Sequence, residues 1–148
     1  MKRPDWKSSQ AAAITDPARL LEMLGLDAAL LPMAKAAAKT FPLRVPHAYV
    51  QRMKPGDAND PLLRQVLPLG AELDDVNGFG PDPVGEADAH LAPGLLQKYA
   101  GRVLLTTTGA CGVHCRYCFR RHFPYSEQNP RRDWTAVVEA IESRFPVG

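Results

Sequence analysis

The chain has 148 residues, 45% of them hydrophobic, and 18 Lys and Arg against 16 Asp and Glu give a formal net charge of only +2. It contains no apolar run of about 18 residues, which excludes a predicted membrane-spanning helix, and its polar first residues lack the apolar centre of a signal peptide. The composition therefore predicts a soluble protein of the cytoplasm.

The first part of the chain, residues 1–67, is predicted to be a helical region. Thr15–Leu24 has an N-cap residue, a proline in the first turn and an apolar face, and Gly25 follows its end. The next segment is rich in Ala and Leu and is divided by Pro32. The predicted helices span residues 15–24, 27–39, 46–53 and 60–67.

An acidic connector is predicted over residues 68–97. Residues 65–97 contain six acids and no Lys or Arg, and they are rich in Gly and Pro, which favours an extended segment. The sequence allows two interpretations of this connector: a solvated acidic loop and a binding segment.

Residues 102–108 are apolar and β-branched, which predicts a buried strand with both faces apolar, as in a parallel barrel. Such a strand would find no sheet partners within this chain. Gly109 and Ala110 then open a loop, and Asp133 is a suitable N-cap for a helix over 134–144, with Val137, Val138 and Ile141 on one face. The loop thus follows a strand and precedes a helix, where ligands bind in parallel α/β folds.

All three cysteines lie in this loop, at Cys111, Cys115 and Cys118. Three thiolates can hold three irons of a cubane cluster and leave the fourth iron open, whereas electron-transfer clusters usually have four cysteine ligands. The spacing therefore indicates a cluster that binds another molecule.

The three cysteines also allow other interpretations. A zinc site with His114 or His122 as the fourth ligand is an alternative, although structural zinc sites usually have two pairs of ligands separated by a longer loop. Cysteines serving only as buried apolar residues would not be expected to cluster within eight positions. A disulfide framework leaves one cysteine over.

The Cys-x-x-x-Cys-x-x-Cys motif after a strand resembles the radical S-adenosylmethionine enzymes. The flanking segments are similar to the lysine 2,3-aminomutase family from about Pro42 onward. Tyr117–Tyr125 is more similar to the branch that makes β-lysine for elongation factor P than to the branch that ferments free lysine, which tends to have His at position 117 and Thr at position 119. The segments that carry the resemblance are 82–88, 92–99, 101–105 and 115–125.

The resemblance implies an α/β fold in which the helical region precedes the first strand–loop–helix unit of a radical S-adenosylmethionine (β/α) barrel. Residues 98–148 would be the start of that barrel. Because family members are much longer, the resemblance also implies that this chain is an N-terminal portion. It would then lack the lysine that forms the internal imine and the acids that hold the substrate ammonium group, so the chain alone is not expected to catalyse the full reaction.

The implied reaction converts (S)-α-lysine to (R)-β-lysine. The implied cofactors are a 4Fe-4S cluster, S-adenosylmethionine and pyridoxal phosphate: the cluster would cleave S-adenosylmethionine, and the resulting radical would take hydrogen from lysine held as an imine on pyridoxal phosphate. A ligase acting on elongation factor P would use the product. A non-catalytic zinc or iron–sulfur module is the alternative.

The resemblance also assigns roles to individual residues. Arg120 would grip the lysine carboxylate with its planar guanidinium. Lys98 stands where relatives often have Arg and would contribute charge without a rigid fork. The cluster ligands would be Cys111, Cys115 and Cys118. The residues near pyridoxal phosphate would be Lys98, Tyr99 and Arg102. The residues that flank S-adenosylmethionine would be Arg116 and Tyr117. The basic side chains between 98 and 125 are therefore ascribed to small anionic ligands rather than to nucleic acid.

Overall fold

A computed structural model describes residues 5–128 and 134–145. The chain forms two compact units. The first takes in the residues up to Phe79 together with Cys111–Arg121, and the second takes in Gly80–Ala110 and the residues from His122 onward. The predicted domain boundaries at residues 67 and 97 stay predictions.

Short helices are the main regular structure of the first unit. The prediction for 15–24 is confirmed: the Asp16 carboxylate accepts a hydrogen bond from the Ala18 amide at 3.0 Å, and Gly25 ends the helix with φ of +61°. Pro32 lies in the first turn of the next helix, where its missing N–H costs no hydrogen bond, and a 3₁₀ turn over Ala28–Leu30 precedes it. The helices are α1 (Trp6–Ala11), α2 (Pro17–Leu24), α3 (Leu31–Thr40) and α4 (His47–Val50).

Two predicted helices are shorter than expected. The segment 46–53 is helical only over α4, and the segment 60–67 contains a 3₁₀ turn over Leu63–Gln65. Asp60 accepts hydrogen bonds from the amides of Leu62 and Leu63, both at 2.9 Å, and so stabilises the start of this turn.

The core of the first unit is aliphatic and joins distant segments. An antiparallel bridge between Ile14 and Val45 adds two backbone hydrogen bonds of 2.8 and 3.0 Å across it. Val113, from the cysteine-containing segment, packs against the same core. The core residues are Ile14, Leu20, Leu21, Leu24, Leu43, Val45, Val50, Met53, Leu63, Val66 and Leu67.

The second unit contains a three-stranded antiparallel sheet in the order β1 (His90–Ala92), β2 (Leu95–Tyr99) and β3 (Arg102–Leu105). Pro93–Gly94 joins the first two strands and Ala100–Gly101 joins the last two. Gly94 and Gly101 have φ of +77° and +73°, the left-handed conformation that such tight turns need. The predicted connector thus contains β1, most of β2 and 3₁₀ turns over Gly70–Leu73 and Ala87–Ala89.

The prediction for the strand at 102–108 is partly wrong. The strand ends at Leu105, and of its residues only Val103 is half-buried, with the rest exposed. It does have partners in the chain, because Leu95 pairs with Leu105 and Tyr99 with Arg102. The sheet formed by the described residues is therefore antiparallel, and the relation of this strand to a parallel barrel stays a prediction.

The predicted last helix is present as α5 (Thr135–Arg144), which packs against β1. Val137 is buried on it and Ile141 half-buried, whereas Val138 is 47% exposed, so the predicted apolar face is only partly buried. The predicted N-cap Asp133 lies outside the described residues. Within 5–128 and 134–145, no helix has the length and hydropathy needed to span a membrane.

Candidate metal and cofactor site

Residues 111–121, here called the cysteine loop, carry the predicted metal ligands. Cys111 is exposed, whereas Cys115 and Cys118 are half-buried. The Cys118 amide donates to the Cys115 carbonyl at 3.1 Å, and the Arg121 amide donates to the Cys118 carbonyl at 3.2 Å. Two consecutive turns therefore bring Cys115 and Cys118 close together.

The thiols affect one another electrostatically. Burial raises the pKa of the Cys115 thiol, and the neighbouring thiols of Cys118 and Cys111 raise it further. Close thiolates repel, and a bound cation removes that repulsion, so the donor set suits a thiolate-ligated metal group.

The positions of the thiols do not by themselves make a metal site. Among the described residues, no three His, Cys, Asp or Glu side chains are grouped so that they could hold a metal ion. The donors thus fit an iron–sulfur cluster in type and in order along the chain, and the cluster itself stays a prediction.

His114, one of the alternative zinc ligands, is held by the first unit. Its amide donates to the Arg44 carbonyl at 2.9 Å, its Nδ1 lies 2.9 Å from the Pro42 carbonyl, and its ring stacks on Phe41 with centroids 5.1 Å apart. Since a carbonyl oxygen only accepts, Nδ1 carries the proton and Nε2 is left as the possible ligand atom. His122 is exposed and belongs to the second unit.

Arg116 is one of the few buried charged residues, with 8% of its surface exposed. Its guanidinium donates to the Glu72 carboxylate, with Nε 2.9 Å from Oε1, and to the Phe41 carbonyl at 2.7 Å. Its amide donates to the Gln65 carbonyl at 2.7 Å. The predicted role of Arg116 beside S-adenosylmethionine stays a prediction, and in this structure its guanidinium binds protein groups.

Glu72 also accepts a hydrogen bond from Arg121 at 2.7 Å. Burial acts to raise the pKa of this carboxyl, but the hydrogen bonds from Arg116, the Leu69 amide and Arg121 outweigh burial and leave the pKa below its usual range. The carboxylate is therefore charged at neutral pH and joins two arginines of the cysteine loop.

Tyr117 is exposed, and its hydroxyl lies 3.4 Å from the Gln65 side-chain oxygen. Tyr49 donates to the same oxygen at 3.2 Å. Burial is the main cause that raises the pKa of Tyr49, and the neighbouring Tyr117 raises it further. Gln65 thus contacts the cysteine loop through both its side chain and its backbone.

Arg120 is the predicted substrate-binding residue. Its guanidinium carbon lies 5.2 Å from the centre of the Phe119 ring, at cation–π distance, and the residue is half-buried. The structure therefore places Arg120 on the same loop as the three cysteines.

The predicted pyridoxal phosphate residues lie together on the β2–β3 hairpin of the second unit. The guanidinium carbon of Arg102 lies 4.6 Å from the centre of the Tyr99 ring, and the two residues pair across β2 and β3. The side chains of Lys98, Tyr99 and Arg102 are exposed. Lys98 donates to the Val84 carbonyl. The hairpin thus groups Lys98, Tyr99 and Arg102, as their spacing in the sequence requires.

Glu72 and Gln65 were missed by the sequence analysis. Glu72 was counted only as one acid of the connector, and it is 44 residues before Arg116. No local pattern marks a partner at that distance, so only the folded chain reveals the pair.

Comparison with known proteins gives the family. No protein-family model matches the chain. The chain is 46% identical over 141 residues to the L-lysine 2,3-aminomutase of Escherichia coli, a match that covers 94% of the chain and 41% of that relative. It is 40% identical over 145 residues to the L-lysine 2,3-aminomutase of Haemophilus influenzae, covering 97% of the chain and 43% of the relative.

A third relative, the L-lysine 2,3-aminomutase of Buchnera aphidicola, is 43% identical over 126 residues, covering 84% of the chain and 37% of the relative. The chain thus spans about two fifths of the length of these relatives. Agreement at this level along nearly the whole chain confirms the family indicated by the cysteine motif and its flanks: the chain belongs to the lysine 2,3-aminomutase family.

Proposed function

We propose that the chain provides the cluster-binding part of a radical S-adenosylmethionine lysine 2,3-aminomutase. The proposed reaction converts (S)-α-lysine to (R)-β-lysine in the cytoplasm, and the product is used by a ligase that modifies elongation factor P. The chain would contribute the helical region and the first strand–loop–helix segment of a (β/α) barrel. The observation that carries the proposal is the group of three cysteines in one loop of a chain that is 46% identical to a named aminomutase over 141 residues.

Three cofactors are proposed. When bound, a 4Fe-4S cluster with S-adenosylmethionine supplies radical chemistry, and pyridoxal phosphate supplies a conjugated system that stabilises a substrate radical. The proposed cluster ligands are Cys111, Cys115 and Cys118. Their loop packs against the rest of the first unit through Val113 and through hydrogen bonds at His114 and Arg116.

The remaining residues bind and orient anionic groups. Arg120 presents a planar guanidinium that can bind the lysine carboxylate through two hydrogen bonds. Arg102 and Lys98 place positive charge on one hairpin for the pyridoxal phosphate, with Tyr99 beside them. Tyr117 presents an exposed ring to S-adenosylmethionine, and Arg116 orients the loop through its bonds to Glu72.

Anaerobic reconstitution with iron and sulfide tests the cluster. We expect broad absorbance near about 400 nm and about four irons per chain in the wild type. Replacing Cys111, Cys115 or Cys118 by Ala should abolish this absorbance, because each thiolate would hold a different iron and the sequence has no fourth cysteine.

A zinc-binding module is the second candidate. The Nδ1 hydrogen bond of His114 to a backbone carbonyl is the arrangement that metal-binding histidines commonly show. Metal analysis separates the two: the module predicts about one zinc per chain, no colour, and equal losses in His114→Ala and Cys115→Ala. The radical enzyme predicts that His114→Ala keeps its iron.

A chimaera tests the reaction. The matched 141 residues of the E. coli relative are replaced by those of this chain, and (R)-β-lysine is measured by mass spectrometry. We expect β-lysine from the chimaera and none from the isolated chain, because the matched segment covers only 41% of that relative. A chimaera that binds the cluster and S-adenosylmethionine but makes no β-lysine would contradict the proposed reaction.

Use of the product is tested in a strain whose own aminomutase gene has been deleted. We expect the chimaera to restore a β-lysyl group on elongation factor P, detected as a mass increase of the intact protein. Production of free β-lysine without this mass increase would assign the chain to the free-lysine branch instead.

A further inference from the structure

Glu72 is an acidic residue that none of the proposed cofactor contacts uses. It lies on the 3₁₀ turn Gly70–Leu73, and only 12% of its side chain is exposed. Its Oε1 also accepts the Leu69 amide at 2.9 Å, which fixes the direction of the carboxylate. A carboxylate that is both nearly buried and held by the backbone amide of Leu69 is suited to positioning other groups.

The groups that it positions belong to the cysteine loop. Arg116 and Arg121 both donate to this carboxylate, and 6% and 17% of their side chains are exposed. Arg116 precedes Cys118 by two residues, and Arg121 follows it by three. One carboxylate therefore holds the chain on both sides of a proposed cluster ligand.

Phe41 completes this arrangement. Its carbonyl accepts from Arg116 at 2.7 Å, and its ring lies 5.0 Å from the guanidinium carbon of Arg116 and 5.7 Å from that of Arg121. Two guanidinium groups so close together repel each other, and Glu72 supplies the negative charge that opposes this repulsion. Without the carboxylate, two nearly buried positive charges would remain, and the loop would have to move them to solvent.

We propose that Glu72 is a positioning residue that prefolds the cysteine loop, so that Cys115 and Cys118 are already side by side before the metal group binds. The proposal rests on the proposed function in taking that group to be the iron–sulfur cluster. The prefolding itself needs no cluster, and it can be measured on the metal-free chain.

Hydrogen exchange of the metal-free chain is the first test. The variant is Glu72→Gln, which keeps the size of the side chain and removes its charge, and the matched control is Asp74→Asn on the exposed Asp74. We expect the amides of His114, Arg116 and Cys118 to exchange at least about tenfold faster in Glu72→Gln, with no change in α2. Equal exchange in the loop, or equally faster exchange in α2, would overturn the proposal.

Cluster formation is the second test. We expect Glu72→Gln to take up less iron and to show weaker absorbance near about 400 nm per chain than the wild type and Asp74→Asn. Glu72→Asp, which keeps the charge, should restore part of the uptake. Arg121→Gln, which removes one guanidinium and keeps the Glu72–Arg116 pair, should fall between Glu72→Gln and the wild type, and it replaces Glu72→Gln if that variant does not fold.

The two tests separate the possible failures. In one outcome, the wild type takes up no cluster while the loop amides of Glu72→Gln still exchange faster than those of the wild type. That result rejects the proposed function and keeps the role of Glu72. If Glu72→Gln takes up the cluster as readily as the wild type does, the role of Glu72 is rejected and the proposed function is kept.

Discussion

The arginines of the cysteine loop differ in what their guanidinium groups contact. Those of Arg116 and Arg121 bind Glu72, whereas that of Arg120 lies over the Phe119 ring. The proposed substrate-binding role of Arg120 rests on its place two residues after Cys118 in the cysteine loop and on its planar guanidinium, which can bind a carboxylate through two hydrogen bonds.

Arg120→Lys in the chimaera should weaken lysine binding without removing the cluster. Lysine keeps the charge and loses the planar fork, and hydrogen bonds to charged groups contribute about 1.5–3 kcal/mol. We expect the KM for lysine to rise about 10- to 100-fold with iron content unchanged, measured by steady-state kinetics and metal analysis. Arg64→Lys, on the exposed Arg64, is the control; equal KM values in both variants would contradict the role of Arg120.

Gly109→Ala should destabilise the second unit for a steric reason. A Cβ at this position would lie 2.9 Å from the Cβ of Tyr125, which cannot move without the backbone. We expect a loss of about 1–3 kcal/mol in the free energy of unfolding, measured with urea. Gly80→Ala is the matched control, because a Cβ there meets nothing within 4 Å; similar losses in both variants would show that the contact is not responsible.

Among the short elements, the 3₁₀ turn Leu63–Gln65 carries Gln65, which contacts the cysteine loop, and one side chain, that of Asp60, supports its start. The Asp60 carboxylate accepts the amides of Leu62 and Leu63, and also that of Lys54 at 3.1 Å. These hydrogen bonds hold the pKa of Asp60 below its usual range, and the one from the Leu63 amide has the largest effect. The turn is thus stabilised by one carboxylate rather than by the length of a helix.

Asp60→Ala should lower the urea midpoint of unfolding and loosen the cysteine loop. Three amides would lose their acceptor, and a buried unpaired N–H is costly. Asp57→Ala is the control, because Asp57 accepts one amide, that of Asn59, and forms an exposed ion pair with Lys54. A smaller shift of the urea midpoint in Asp60→Ala than in Asp57→Ala would contradict this explanation.

At the scale of the whole molecule, both units contain carboxylates that are stabilised in the charged form. Asp60 and Glu72 lie in the first unit, and Asp82, whose pKa is lowered by the amides of Glu86 and Ala87, lies in the second. A lowered pKa in the folded state means that protonation favours unfolding. Their stabilisation is therefore fully present above the usual pKa of Asp and Glu and is lost as the pH falls through the lowered values.

We expect the urea midpoint to be constant near neutral pH and to fall below about pH 4. Glu72→Gln should be less stable at neutral pH and should lose less stability on acidification, since one of the titrating groups is gone. The measurement is a series of urea titrations by circular dichroism from about pH 2 to about pH 7. A steeper loss of stability with acid in Glu72→Gln than in the wild type would contradict the assignment.

The amino-acid sequence alone determined the features that depend on neighbouring residues. Asp16, Pro17 and Gly25 delimit α2 as predicted, and the cysteine motif together with its flanking segments indicated the family that the relatives confirm. The hairpins were not predicted, because the sequence favoured an extended connector up to residue 97 and a strand without partners after it, whereas Pro93–Gly94 and Ala100–Gly101 form tight turns between short strands. With those turns recognised, the strand partners of Arg102–Leu105 would have been predictable within the chain.

Only the tertiary structure determined which groups the cysteine loop contacts. Glu72 and Phe41 lie 44 and 75 residues away from Arg116 along the chain, and their side chains show no periodic pattern that marks them as partners. Local preferences act over one or two turns of chain, whereas the pairing of a buried charge depends on which segments the core brings together. For that reason the sequence predicted the ligand residues, and the folded first unit determined how they are held.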